Sequence, residues 1–280
     1  MDIKRPIPVA PVGVLNLQQS WQREQAAQNA FHEDRNRRIA SADHSPRTRL
    51  FGGDQFEEIV AFLVNQGIPE NQVRQGSIPL RSLEYLNDAV LSRLDKNSPL
   101  MALHIGNFVG VSLAYIAEKL KSLNPNSVTV AVDPNIPHRG VENPQSVVMK
   151  LMCSAGLERN VLMVAGFSLE RNVGNEGTLI GQADPAVSFT SEYSCEAVLR
   201  NLGRLFQHRF DLVCLDGNHQ ADYLQREIEA ILPLMASRSW IVLDDVDANW
   251  PSIREVFRSI SRWGLTPVGT NGRIGIARRA

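Results

Sequence analysis

From Leu100 onward the chain alternates short apolar runs with helical stretches, and this alternation restricts its fold more than any other feature. The runs cover residues 100–105, 128–132, 161–165, 212–215 and 240–243. Apolar residues at helical spacing fill 113–120, 147–155, 195–206 and 223–235 between them. Strands bounded in this way build βαβ units: helices cover both faces of a parallel sheet, so each strand is apolar throughout. A last helix over 253–263 is followed by apolar segments 265–269 and 273–277. Thr270-Asn271-Gly272 joins them, and Asn-Gly in that setting predicts an antiparallel hairpin. The expected fold is α/β: a doubly wound sheet finished by a hairpin.

Residues 1–98 read as an N-terminal arm and helical extension, and 99–280 as the sheet domain. Asp54 caps a helix over 55–65 that carries Phe56, Ile59, Val60 and Leu63 on one face, with Gly67 as its stop. A second helix is expected over 80–94, where Leu83, Leu86, Val90, Leu91 and Leu94 recur at helical spacing. Before them, Pro6, Pro8 and Pro11 lead into a Gln/Arg-rich stretch over 17–39 with only Leu17, Trp21, Phe31 and Ile39 as anchors. So sparse a stripe buries little. It reads as a solvated arm or, more sharply, as a dimer-exchange arm or a lid over an active site.

Composition narrows the partners. Lys and Arg number 29 against 30 Asp and Glu, a net charge of −1, which provides no field for a phosphate backbone, so nucleic acid is not expected. No apolar run reaches the ~18 residues of a membrane span. The opening residues carry Lys4 and Arg5 without an apolar core, unlike a secretory signal. Cys153, Cys195 and Cys214 are odd in number and widely spaced, which suits neither a disulfide framework nor a zinc site. A reduced, cytoplasmic chain is the expectation.

The first strand runs into His104-Ile105-Gly106-Asn107-Phe108-Val109-Gly110-Val111-Ser112 and then into a helix. Glycines there let the backbone turn sharply and approach a ligand beside the unpaired N–H groups of a helix N-terminus. The second strand ends in Asp133, one βα unit later, where a carboxylate can accept both hydroxyls of a ribose. Together, and in this order, they point to a nucleoside-containing cofactor. A short-chain dehydrogenase would also need a Tyr-x-x-x-Lys pair. Only Tyr115 and Lys119 match that spacing, and they fall directly after the glycine loop, too early in the chain.

Over residues 99–280 the sequence resembles the class I S-adenosylmethionine (SAM)-dependent methyltransferases. The glycine loop resembles their first motif, and Asp133 their ribose-binding acid. Residues 151–157 and 161–168 are similar to their third αβ unit, which implies that Gly166, Phe167 and Ser168 line the adenine. Phe210-Asp211-Leu212-Val213-Cys214-Leu215-Asp216-Gly217-Asn218-His219, with Trp240-Ile241-Val242-Leu243-Asp244-Asp245-Val246, is similar to the "DGxH … DD" pair of small-molecule O-methyltransferases, the macrocin-type sugar enzymes among them. The resemblance implies a Rossmann-like seven-stranded sheet of order 3-2-1-4-5-7-6. It also implies a cofactor site of His104, Gly106, Asn107, Phe108, Gly110, Ser112, Asp133, Gly166, Phe167, Ser168 and Asp216. Two positions depart from the pattern: His104 replaces an acid and Phe108 a glycine.

In that strand order Asp216 converges with Asp244 and Asp245. Three close carboxylates call for a cation or protons between them. Hard oxygen ligands of this kind suit Mg²⁺, which would orient a substrate hydroxyl and lower its pKa; the alternative is that the aspartates only cap helices or bind loop amides. His219, three residues after Asp216, is the candidate general base, and Asp216 is the second candidate catalytic residue. His104 and His138 are weaker candidates for binding substrate. The long connection over 170–193, with Gly174, Gly177, Gly181, Phe189 and Tyr193, suits a loop that shapes the acceptor pocket or an idle insertion. The expected function is O-methylation of a small hydroxylated acceptor such as a sugar, polyketide or aromatic natural product, with a homodimer through the N-terminal region. His104 and Phe108 motivate the alternative of a methyltransferase-like binding or scaffold protein without catalysis. Metal-independent N- or C-methylation is a third class.

Overall fold

A computed structural model describes residues 54–169, 198–206 and 209–280. The expected arm over 17–39, the connection over 170–193, Cys195 and His208 lie outside the described residues. Helix α1 (Gln55–Asn65) starts where Asp54 accepts hydrogen bonds from the amides of Phe56 and Glu57, and turns away at Gly67 with φ +89°. A helix that periodicity did not reveal, α2 (Glu70–Gln75), follows. Its six residues bury only Val73, too little to make a pattern. Helix α3 (Leu80–Ala89) is shorter than expected. At Val90 the backbone leaves helical geometry (φ −127°, ψ −65°), and a 3-10 turn, Leu91–Arg93, buries Leu91 from a new direction.

The sheet and its helices then alternate: β1 (Met101–Ile105), α4 (Val111–Leu123), β2 (Val128–Asp133), α5 (Pro144–Ser154), β3 (Val161–Ala165), α6 (Val198–Leu205), β4 (Phe210–Leu215), α7 (Ala221–Ile231), β5 (Met235–Leu243), α8 (Pro251–Arg258), β6 (Leu265–Thr270) and β7 (Gly275–Arg279). The order in space is β3-β2-β1-β4-β5-β7-β6, with β1 to β5 parallel and β7 antiparallel to both β5 and β6. Helix α7 ends before the expected 235. Pro233 lies in a 3-10 turn over Leu232–Leu234, and proline can neither donate to nor fit inside a continuing helix. The nine-residue β5 starts directly after it.

Side chains alternate across the strands, so the sheet has two apolar faces. Ala102, Leu212, Cys214, Trp240 and Val242 pack with α1, α3, α4 and α5. Leu103, Ile105, Val213, Leu215, Ile241 and Leu243 pack with α6, α7 and α8. Both faces are covered, as a parallel sheet requires. Helices α1 and α3 thus share the core of the sheet. No helix among the described residues is long and apolar enough to cross a membrane.

Candidate active site

The loop after β1 is shaped by three residues in the left-handed region: Gly106 (φ +84°), Phe108 (+45°) and Gly110 (+88°). At Gly106 the chain passes so close to the end of β4 that a Cβ would lie 1.9 Å from the carbonyl oxygen of Asp216. Gly110 caps α4 with no side-chain hydrogen bond, and a Cβ there would press on Val148 at 3.3 Å. Phe108, standing where the resemblance leads one to expect glycine, leans its ring over Gly76 and meets His138 edge-on, with ring centroids 5.5 Å apart.

Asp133 turns inward onto this loop. Its Oδ2 accepts from the Asn107 amide at 2.5 Å and its Oδ1 from the Asn135 amide at 2.6 Å. Burial raises its pKa, and the amides of Asn107, Asn135 and Phe108 oppose that shift. Each carboxylate oxygen has a second lone pair, so the group retains the capacity to accept two hydroxyls. His104 is 1% exposed and hydrogen-bonded through Nε2 to Ser112 Oγ at 3.1 Å. Burial lowers its pKa to about 4, so the imidazole is neutral at pH 7. His104 Nδ1 and Asn107 Oδ1 are buried without a well-aligned hydrogen-bond partner among the described residues. The two side chains interact with each other, and that contact opposes the lowering of the His104 pKa.

After β3, Gly166 (φ +147°) donates its amide to Asp133 O at 3.0 Å, and a Cβ on it would meet Val198 at 2.7 Å. Phe167 beside it is buried. Ser168, expected at the adenine, gives its hydroxyl to Glu227 Oε1 and lies 3.0 Å from Tyr223 Oη, both on α7. Sequence spacing contained no sign of this pair, because the partners are 55 and 59 residues away.

Glu227 is 1% exposed, and burial pushes its pKa up to about 7, with the Ser168 bond opposing. Between pH 4.5 and 7 the folded chain therefore holds a proton that the unfolded chain releases, and stability falls as pH rises through that window. The full cost is about 3 kcal/mol. Glu227→Gln removes it. The variant is expected to melt several degrees above the wild type at pH 8 and close to it at pH 4.5, checked by paired thermal melts.

At the ends of β4 and β5, Asp216, His219, Glu227 and Asp244 line one small cavity. Asp216 donates its amide to Ile105 O (2.9 Å) and Asp244 its amide to Leu215 O (3.0 Å), which ties three neighbouring strand ends together. Burial, and then the charge of Asp244, raise the Asp216 pKa far above the usual carboxylate range. Burial and the charge of Asp245 raise the Asp244 pKa as well, opposed by Arg273 and by a hydrogen bond between the Asp244 and Asp216 side chains. His219 pairs through Nε2 with Asp245 Oδ2, and its ring stacks on Trp250 with centroids 4.5 Å apart.

Sequence reasoning missed Arg273, which dominates this cluster. Its Nε and Nη2 hold both oxygens of Asp244, at 2.9 and 2.6 Å, and its Nη1 pairs with Asp245 Oδ1. The only signal lies in the hairpin. Leu243 faces Gly275 across β5 and β7, so two residues further along each chain Arg273 comes beside Asp245. A Val246 N–H to Arg273 O bond of 3.0 Å holds it there.

Asp216, Asp244 and Asp245 do converge, as expected of metal ligands, but they do not fit a divalent cation as they stand. A hard cation needs several anionic oxygens of its own. Both Asp244 oxygens are on the guanidinium, Asp245 is divided between Arg273 and His219, and the Asp216 side chain is hydrogen-bonded to Asp244. Among the described residues no cluster of His, Cys, Asp and Glu has metal-site geometry.

A glycine loop locked to an aspartate at the next strand end, with an acid-rich cleft one strand away, on a sheet of this order, is the frame of a class I methyltransferase. The family model described as "Methyltransferase domain" matches residues 103–246, just over half of the chain, and the chain belongs to that family. No curated protein matches it. Among solved structures it is similar to the O-methyltransferase TomG from Streptomyces achromogenes in complex with SAM (17% identity, 81% of this chain and 90% of that one, TM-score 0.50). It is also similar to an O-methyltransferase from Bacillus cereus in complex with SAH (16%, 82% and 93%, 0.51) and to the SAH-bound methyltransferase PaMTH1 from Podospora anserina (13%, 81% and 88%, 0.51). At these identities the likeness concerns the fold.

Proposed function

We propose that the chain transfers a methyl group from SAM to a hydroxyl of a small molecule. The observation that carries this reading is the His219–Asp245 pair at the cleft, a base with its orienting carboxylate, beside a glycine loop of the cofactor-binding kind. SAM would lie across the ends of β1 and β2, with its ribose on Asp133, its adenine near Gly166 and Phe167, and its methionine end over Gly106, Asn107 and the end of β4. When bound, it supplies an electrophilic methyl group on a sulfonium.

The chain's own residues account for the rest. Asp245 accepts from His219 Nε2, which leaves Nδ1 as the lone pair that takes the acceptor's proton. Trp250 stacks on the ring and restricts its rotation. Arg273 pairs with the other oxygen of Asp245 and fixes that carboxyl group against the imidazole. Asp216, whose pKa burial and the charge of Asp244 raise, would border the cleft hydrogen-bonded to Asp244. With bound SAM supplying the methyl group to the acceptor oxygen, the hydroxyl proton would end on His219.

Calorimetric titration with SAM is expected to give a saturable heat that Asp133→Ala weakens at least tenfold, since charge-assisted bonds are each about 1.5–3 kcal/mol. No heat with the wild-type chain overturns the reading. A second reading, a protein of this fold that binds without turnover, draws on the neutral His104 and on an Asp133 already bonded to its own loop. Methyl transfer to any hydroxylated acceptor removes it.

A further inference from the structure

We propose that Arg273 is a built-in cation standing in the place of a divalent metal, so that Asp216, Asp244 and Asp245 form a closed ion-pair cluster that becomes a metal site only when Arg273 is removed. The inference rests on the geometry of the cluster, not on the identity of the methyl acceptor.

Three observations support it. The guanidinium meets Asp244 in the two-pronged arrangement that planar Arg and carboxylate favour, at 2.9 and 2.6 Å, while its remaining nitrogen reaches Asp245. Asp247 Oδ2 lies 3.9 Å from the same nitrogen. The two carboxylates are almost fully buried, and such charges are tolerated only when paired. Finally, the backbone holds Arg273 in position. Asn271 Oδ1 accepts from the amides of both Arg273 and Ile274, at 3.1 and 3.0 Å, and Arg273 O accepts from Val246 N. The hairpin turn therefore delivers the arginine at a fixed place instead of letting it swing in from solvent.

Without the guanidinium the cavity would hold three neighbouring carboxyl groups, those of Asp216, Asp244 and Asp245. Oxygen ligands of that number and charge suit Mg²⁺ or Mn²⁺. The cluster thus has the donors of a metal site and an occupant that excludes the metal.

Mn²⁺ binding, followed by the loss of the free-ion electron paramagnetic resonance signal at pH 7.5, tests this on the full chain. The wild type is expected to leave millimolar Mn²⁺ free, and its melting temperature is expected not to respond to Mn²⁺ or EDTA. Arg273→Ala is expected to bind one equivalent at least tenfold more tightly than the wild type, and Asp244→Asn added to it is expected to abolish that binding. Arg273→Lys, which keeps the charge, is expected to exclude the ion as the wild type does. Wild-type binding that Asp244→Asn removes overturns the proposal. A folded Arg273→Ala variant that binds no Mn²⁺ overturns it as well. Should that variant not fold, the wild-type titration and melts still decide. A chain that fails to bind SAM but shows this Mn²⁺ pattern would sink the functional reading and leave this one standing.

Discussion

His219→Ala is expected to lower kcat for methyl transfer by roughly 10²- to 10⁴-fold, the range for losing a positioned general base. SAM affinity should stay within a few-fold, because the histidine stacks on Trp250 and pairs with Asp245 rather than touching the glycine loop. Asp245→Asn should fall between wild type and His219→Ala. The amide leaves the ring in place but removes the charge that stabilises an imidazolium. The two losses should not add, since both residues act on one proton. Single-turnover assays with the double variant check this: additive losses would mean that His219 and Asp245 work independently.

Gly106→Ala is expected to cost about 3–5 kcal/mol, enough to lower the melting temperature by about 10 °C or to abolish soluble expression. Two effects combine. A left-handed backbone at φ +84° is strained for any residue with a Cβ. The new methyl would also lie 1.9 Å from the Asp216 carbonyl, a backbone atom fixed by the amide-to-Ile105 bond at the end of β4. Gly67→Ala is the control. Its φ is +89°, yet a Cβ there would meet nothing within 4 Å, so only the strain of about 1 kcal/mol applies. Thermal melts of the two variants separate conformational strain from the close approach that shapes the loop.

Much of the fold was legible because its signals are local. The Asp54 cap, the alternation of apolar runs and helices, and the Asn271-Gly272 turn each act over a few residues, and all appear where periodicity and turn chemistry put them. The strand ends that carry Asp133, Asp216 and Asp244-Asp245 were legible for the same reason: in a parallel sheet the carboxyl end of each strand faces the same edge. Element boundaries were less so. Val90 breaks a helix that apolar spacing continues to Leu94, and the turn at Pro233 ends a helix that the apolar run continues to Met235.

The amino-acid pattern by itself determined the class of sheet, the glycine loop and the acids that border it, since each follows from interactions between near neighbours in the chain. Only the tertiary structure decided what those acids touch. Arg273 reaches Asp244 and Asp245 through the register of an antiparallel pair, Ser168 turns to Glu227 across 59 residues, and Asp133 closes on the amide of Asn107 from the neighbouring strand. The physical reason is that a buried charge takes whichever partner the packed sheet brings within about 3 Å, and that choice is set by strand pairing and not by spacing along the chain.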